Sequence, residues 1–198
     1  NQKGLGILVS AKSVDNMSYR SDRTKQLQNG LINFLPALTK THTYNLVSSL
    51  YPYATQPVGE IAFQAEVMYT IKKGTLLGGK YGTKIAFNMS QWYNLPGEYQ
   101  LTPSNYETNF FGVGTKYFSD YNLEVKKKLS EKWHTGFNYV NQYYNKPWIE
   151  DASSDVNTNI ITGEAIYNFA ETKSIRFHFN HHEIQIALPP TAHCRSRC

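Results

Sequence analysis

The histidines and cysteines near the end of the chain are the side chains best suited to metal binding. The set comprises His178, His181, His182, His193, Cys194 and Cys198. His181 and His182 are adjacent, and adjacent side chains on a β-strand point to opposite faces. The spacing also fits no strong zinc pattern. The sequence therefore predicts no metal site.

Acid–base and nucleophilic chemistry is equally poorly supported. Glu60 and Glu66 share a parity but lie about 20 Å apart on an extended strand, too far for a carboxylate pair within that strand. No serine stands in a nucleophile motif, and Gly112-Val113-Gly114 lacks the following helix of a phosphate loop. We therefore expect no catalytic residue, no cofactor and no enzymatic activity.

The most informative stretch is instead 60–72, EIAFQAEVMYTIK, whose residues alternate in polarity. Its odd positions from Ile61 to Ile71 are apolar, whereas the even positions are mostly polar or charged, which is typical of a strand with one apolar face. Thirteen residues span roughly 43 Å, or about 30 Å when tilted near 45°. That matches the hydrocarbon thickness of a bilayer, so the stretch predicts a transmembrane β-strand.

Alternation elsewhere predicts about eight long strands. They are 3–14, 42–51, 60–72, 80–93, 113–129, 132–144, 159–169 and 174–182. Short links alternate with long polar loops, as they do in outer-membrane barrels. Residues 21–41 break this rhythm and form a loop, a plug or an irregular hairpin. The predicted fold is all-β: an antiparallel up-and-down transmembrane β-barrel, or a contiguous portion of one.

The composition fits this fold. Hydrophobic residues make up 40% of the chain and aromatic residues 14%, including 15 Tyr. A barrel needs only an apolar outer band, aromatic girdles and a polar lumen. We expect Tyr51, Tyr53, Trp92, Tyr93, Trp133, Tyr143 and Tyr144 to lie at the membrane interface. The net charge of +5 is modest, and the run at 126–128 is interpreted as a solvated strand end, so no nucleic-acid partner is expected.

Parity assigns side chains to two environments. The candidates for lining the lumen are Glu60, Gln64, Glu66, Lys84, Asn88, Lys116, Asp120, Glu124, Asn138, Glu164, Asn168 and Arg176. The candidates for facing lipid are Ile61, Phe63, Val67, Tyr69, Ile71, Ile85, Phe87, Tyr121, Leu123, Val125, Phe137 and Tyr139. In a narrow barrel the polar set would fill the interior, and in a wide one it would line water.

Several stretches resemble uncharacterised outer-membrane barrel proteins of Bacteroidota-type bacteria. They include GLGILVSAKSVDNMSYRSDR, LPALTKTHTYNL, YPYATQPVGEIAFQAEV and LLGGKYGTKIAFNMS. The resemblance covers roughly residues 4–182 and implies a bacterial outer-membrane location and a segment of a longer barrel. It carries over no functional residue. We expect a barrel segment at 1–182 and an atypical tail at 183–198, which is either cut from a longer continuation or non-native.

Three functions remain open from the sequence. The first is a channel or transport-associated barrel for small polar solutes, with membrane lipid as its partner. The second is a structural barrel that binds other envelope proteins through loops 52–59, 94–112 and 145–157. The third is a soluble secreted β-sandwich that binds glycans through exposed Tyr and Trp, with the apolar parities packed on a second sheet.

Overall fold

The computed structural model describes residues 4–22, 24–25, 29–40, 42, 53–57, 59–99, 106–150 and 152–186. Seven long strands form its main sheet. They are β1 (Leu5–Asp15), β2 (Gly59–Ile71), β3 (Thr83–Tyr93), β6 (Lys116–Lys128), β7 (Trp133–Tyr144), β8 (Val156–Ala170) and β9 (Lys173–Ile186). The alternation of the sequence explains these strands, because successive side chains of an extended strand point to opposite faces.

The strands are arranged up and down, each antiparallel to the next. The order in the sheet is β1-β2-β3-β6-β7-β8-β9. This confirms the all-β, antiparallel, up-and-down prediction. Closure into a barrel is not confirmed, because β1 and β9 are the two edges of an open sheet in the described part of the chain.

Seven of the eight predicted strands are present, with ends shifted by a few residues. The predicted strand at 42–51 lies outside the described residues apart from His42, which is not in a strand. β9 continues to Ile186, so strand pairing reaches beyond residue 182, where the sequence pattern weakens. Ile184 and Ile186 pair with Thr158 and Val156, and they reverse the parity of Ile175, Phe177 and Phe179 earlier in the strand, which is why the pattern weakens although the pairing continues.

Two elements were not predicted. The loop after β3 contains a small antiparallel hairpin of β4 (Gly97–Tyr99) and β5 (Tyr106–Thr108). The loop after β7 contains a single helical turn, α1 (Lys146–Glu150). Among the described residues, no helix is long and apolar enough to cross a membrane.

The register gives the main sheet two chemically distinct faces. In all six pairings between its strands, even-numbered residues oppose even-numbered residues, except at irregularities near Tyr93 and Ala170. We call the two sides the even face and the odd face. Most even-face side chains from β2 to β8 are buried or half-buried, whereas many large apolar side chains of the odd face are exposed.

The buried core lies on the even face, at the end of the sheet from which the long loops emerge. We call this the long-loop end, and the opposite end, with links 72–82, 129–132 and 171–172, the turn end. The cluster consists of Tyr53, Ala62, Trp92, Tyr117, Phe118, Tyr144 and Val156. The ring centroid of Tyr53 lies 5.1 Å from that of Trp92 and 5.3 Å from that of Phe118, and the centroids of Trp92 and Phe118 are 5.0 Å apart. The sequence predicted that Tyr53, Trp92 and Tyr144 lie at the membrane interface. They are buried in this cluster instead. An aromatic ring with a polar tip suits either setting.

Candidate functional site on the even face

The even face consists of rows that cross the sheet from β2 to β8, and their chemistry changes along the strands. At the long-loop end lies an aromatic row: Ala62, Trp92, Phe118, Tyr144 and Val156. Next come two rows rich in amides and hydroxyls: Gln64, Ser90, Asp120, Gln142 and Thr158, then Glu66, Asn88, Asn122, Val140 and Ile160. Towards the turn end lies a lysine row: Thr70, Lys84, Lys126, Gly136 and Glu164.

Glu60 is the centre of the charged contacts at the long-loop end. Its side chain is 0% exposed, and its Oε1 lies 2.9 Å from Nζ of Lys12. Its Oε2 accepts from the Tyr53 hydroxyl at 2.6 Å and from the backbone N–H of Gln56 at 2.9 Å. Burial, followed by the charge of Glu60, raises the pKa of Tyr53 well above its usual range. Tyr53 therefore stays a neutral donor to a charged acceptor.

Residues 29–40, His42 and 53–57, here called the covering segments, lie over this half of the even face. Lys12 Nζ also donates to the Pro36 carbonyl at 2.9 Å and to the Thr55 hydroxyl at 2.7 Å. Ala37 and Leu38 pack against the aromatic core. Of the alternatives left open for 21–41, an irregular hairpin forms at its start, where Arg20 and Leu31 make an isolated antiparallel bridge. The contacts of Pro36, Ala37 and Leu38 favour a plug-like fold of the following residues onto the sheet.

Two further side-chain pairs connect the covering segments to the sheet. His42 Nε2 lies 2.6 Å from Oδ2 of Asp120, which also accepts from Nε2 of Gln142 at 2.8 Å. Lys40 Nζ lies 3.0 Å from Oε1 of Glu66. Asp120 is 1% exposed, so its carboxylate needs such donors to remain in this interior.

Below these pairs, side-chain amides form hydrogen bonds between and along the strands. Gln64 Nε2 of β2 donates to Oδ1 of Asn88 of β3 at 3.1 Å, and within β3 Asn88 Nδ2 donates to the Ser90 hydroxyl at 3.3 Å. Asn122 donates in the same way to Asn138. Such a ladder satisfies buried polar groups without a net charge.

The turn end of the even face is more open. Glu164 Oε1 lies 3.0 Å from Nε of Arg176, and its Oε2 lies 3.6 Å from Nε2 of His178. Lys126 Nζ pairs with Oε1 of Glu124 at 2.7 Å. A cleft of about 390 Å³ lies here, lined by Lys84, Lys126, Lys128, His134 and Glu164 among others.

Eleven of the twelve predicted lumen candidates have even-face positions. Glu60, Asn88, Asp120, Asn138 and Glu164 are buried; Gln64, Glu66, Glu124 and Asn168 are half-buried; Lys84 and Arg176 are exposed. Lys116 does not share that face. The register shifts between Trp92 and Tyr93, so Lys116 opposes Tyr93, and its ammonium lies 4.3 Å from the centroid of the Tyr143 ring on the odd face.

All twelve residues predicted to face lipid lie on the odd face. Phe63, Val67, Tyr69, Phe87 and Phe137 are exposed, and the others except Ile61 are half-buried. Ile61 is 5% exposed. The Ser13 hydroxyl, opposite Ile61 in the register, donates to the Phe110 carbonyl at 2.8 Å, which brings the loop around Phe110 to this end of the odd face.

Sequence reasoning missed the partners of the buried carboxylates: Lys12, Lys40, His42 and Tyr53. Lys12 has the same parity as Glu60 in the register, so alternation alone would have put it on the even face. No local signal marks the other three. Tyr53 is 7 positions from Glu60, Lys40 is 26 from Glu66, and His42 is 78 from Asp120.

The arrangement is suited to holding charges and hydrogen bonds in a fixed network. Within the described ranges, no three His, Cys, Asp or Glu side chains come together in a way that could hold a metal ion. His181 opposes Ile161 and His182 opposes Ile160, so the two rings project to opposite faces of β9. Residues 193, 194 and 198 of the histidine–cysteine set lie outside the described residues.

Comparison with known proteins gives one match. A family model described as "Family of unknown function (DUF6029)" matches residues 1–185. No curated protein and no solved structure matches the chain significantly. The family match covers all seven long strands except the last residue of β9. The chain therefore belongs to the Family of unknown function (DUF6029).

Proposed function

We propose that this chain is a membrane-spanning part of a bacterial outer-membrane β-barrel, with its odd face towards lipid and its even face towards the interior. The observation that carries the proposal is an inverted distribution of polarity. A water-soluble antiparallel sheet buries its apolar face and exposes its polar one. Here the buried face carries Glu60, Asn88 and Asp120, while Phe87, Phe137 and Phe179 are exposed on the other.

The dimensions of the strands support the same function. The seven long strands contain 11 to 15 residues. At about 3.3 Å per residue and a tilt near 45°, they span roughly 26–35 Å, close to the hydrocarbon thickness of a bilayer. The resemblance of 4–182 to outer-membrane barrels of Bacteroidota-type bacteria points the same way. Since lipid offers no hydrogen bonds, the edge strands β1 and β9 must find strand partners there, in each other or in further strands.

Within such a barrel, we infer a channel or transport-associated function for small polar solutes, without catalysis. The open turn end of the even face provides accessible polar surface, whereas most of the amide-rich rows are buried. The covering segments occupy the other half, so transport requires them to move. Planar-bilayer conductance tests this: deletion of 29–40 should raise conductance over that of the intact chain, whereas two equally silent proteins would contradict transport.

A structural barrel that binds envelope proteins through its loops is the second candidate. The observation that favours it is the filled long-loop half, where Lys12, Lys40 and His42 hold the covering segments in place. It predicts no conductance with or without 29–40, together with loop-dependent pull-down of envelope proteins.

A glycan-binding sandwich needs a second sheet on the odd face. In the described part of the chain, the second sheet is the short hairpin β4–β5.

The membrane proposal itself is tested by gel mobility of the detergent-refolded chain, heated and unheated, with far-ultraviolet circular dichroism. A heat-dependent shift with a β spectrum supports a barrel. A monomer that stays soluble without detergent would overturn the proposal. Aggregation under both conditions is the result expected of a sheet whose edges lack their partners.

A further inference from the structure

We propose that the turn end of the even face is a binding site for phosphate-type anions. The first observation is a pair of like charges in direct register. Lys84 of β3 and Lys126 of β6 are opposed across neighbouring strands on the same face. Like charges in that position destabilise a sheet unless something neutralises them.

The two lysines of this pair differ in their carboxylate partners. Glu124 lies 2.7 Å from Lys126, and Glu164 is held by Arg176 at 3.0 Å. Within the described ranges, Lys84 has no carboxylate within ion-pair distance. Lys128 lies on the same face and contacts the Tyr81 ring at 5.0 Å, again without a carboxylate at ion-pair distance in that part of the chain.

The surrounding space fits a small anion. The cleft of about 390 Å³ is bordered by Lys84, Lys126 and Lys128, with His134 opposite Lys128 in the register. Gly136 stands between Lys126 and Glu164, and the lack of a side chain keeps the row open. The volume is at the small end for ligand sites, which are on the order of 300–1,000 Å³.

The chemistry of lysine selects the class of ligand. Each ammonium supplies three donors and a compact positive charge, and facing Cβ atoms on paired strands stand about 5 Å apart. Two such ammonium groups can converge on one phosphate group, whose oxygens accept from both. The inference deepens the proposed function by naming the solute class: phosphate-bearing anions that enter the interior from the turn end.

Isothermal titration of inorganic pyrophosphate into the detergent-refolded chain tests the site. We expect binding that weakens as salt rises, and an affinity that falls at least about tenfold in Lys84→Gln/Lys126→Gln, since charge-assisted hydrogen bonds are lost. Lys84→Arg/Lys126→Arg should restore it. Lys132→Gln/Lys173→Gln is the matched control, because it removes the same charge at the same end of the sheet; its affinity should stay within about twofold of the parent.

Two results would overturn the anion site: no pyrophosphate binding by the refolded parent chain, or equal weakening in both glutamine pairs. A second arm, with vesicles of phosphatidylglycerol or phosphatidylcholine, identifies the source of the phosphate. A solute site would be contradicted if the parent bound phosphatidylglycerol vesicles more tightly than Lys84→Gln/Lys126→Gln did, but did not bind pyrophosphate. Gel mobility of the same samples reports separately on the membrane proposal, so the two can fail independently.

Discussion

The two ends of the even face carry charge in opposite ways. At the long-loop end, the charged side chains are buried or half-buried, and Glu60, Glu66 and Asp120 each have a partner in β1 or the covering segments. At the turn end, lysines outnumber carboxylates in an open cleft. One end is thus built as a fixed, neutralised interior, and the other as a surface that attracts anions. The difference shows that charge on one face of a sheet can serve structure and binding within the same strands.

The largest expected effect is at Glu60. Glu60→Gln keeps the shape of the side chain but removes the charge that neutralises Lys12 and accepts from Tyr53. Breaking a buried ion pair leaves an uncompensated charge, so the free energy of unfolding should fall by about 3–5 kcal/mol. Urea unfolding in detergent, followed by tryptophan fluorescence, measures it. A loss below about 1 kcal/mol, the value for an exposed pair, would mean that this end is not a sealed interior.

A smaller loss is expected at Asp120. Asp120→Asn preserves the size of the side chain but weakens its contacts with His42 and Gln142. Hydrogen bonds to charged groups contribute about 1.5–3 kcal/mol each, so the free energy of unfolding should fall by an amount in that range. Limited proteolysis should also cleave the covering segments faster. Unchanged cleavage together with unchanged stability would show that His42 does not hold them.

The alkaline response of Tyr53 provides a test by pH. Its pKa is raised in the folded chain, so its contribution to stability is complete below the unfolded pKa of about 10 and declines as pH rises beyond that value. The stability advantage of the parent over Tyr53→Phe should therefore shrink between about pH 10 and 11. Because the other tyrosines are common to both proteins, they cancel in the difference. A constant difference would indicate that Tyr53 is solvated.

The smallest effect is expected at the open end, where Glu124→Gln is the matched control for Glu60→Gln. Lys126 is 48% exposed, so solvent screens its pair with Glu124. The free energy of unfolding should change by about 0–1 kcal/mol. The same variant should bind pyrophosphate at least as tightly as the parent, since a competing carboxylate is gone. Weaker binding would contradict the proposed anion site.

The local pattern predicted the strands and the two faces because alternation with period two is encoded within each segment. Eleven of twelve lumen positions followed from it, and Lys116 failed because a register shift is set by the partner strand. The covering segments could not be derived, since the pair of His42 and Asp120 joins residues 78 positions apart. The buried cluster around Trp92 was misassigned to the interface, because burial of an aromatic ring depends on what packs over it.

In the proposed barrel, the odd face contacts lipid and the even face does not. Single spin labels at Ile85→Cys, Ala86→Cys, Phe87→Cys and Asn88→Cys, with Cys194 and Cys198 replaced by Ser, would test it in refolded lipid vesicles. We predict that oxygen, which dissolves in lipid, relaxes the labels at 85 and 87 much more than those at 86 and 88. Labels at 85 and 87 that a water-soluble nickel chelate relaxes more than oxygen does would contradict the claim.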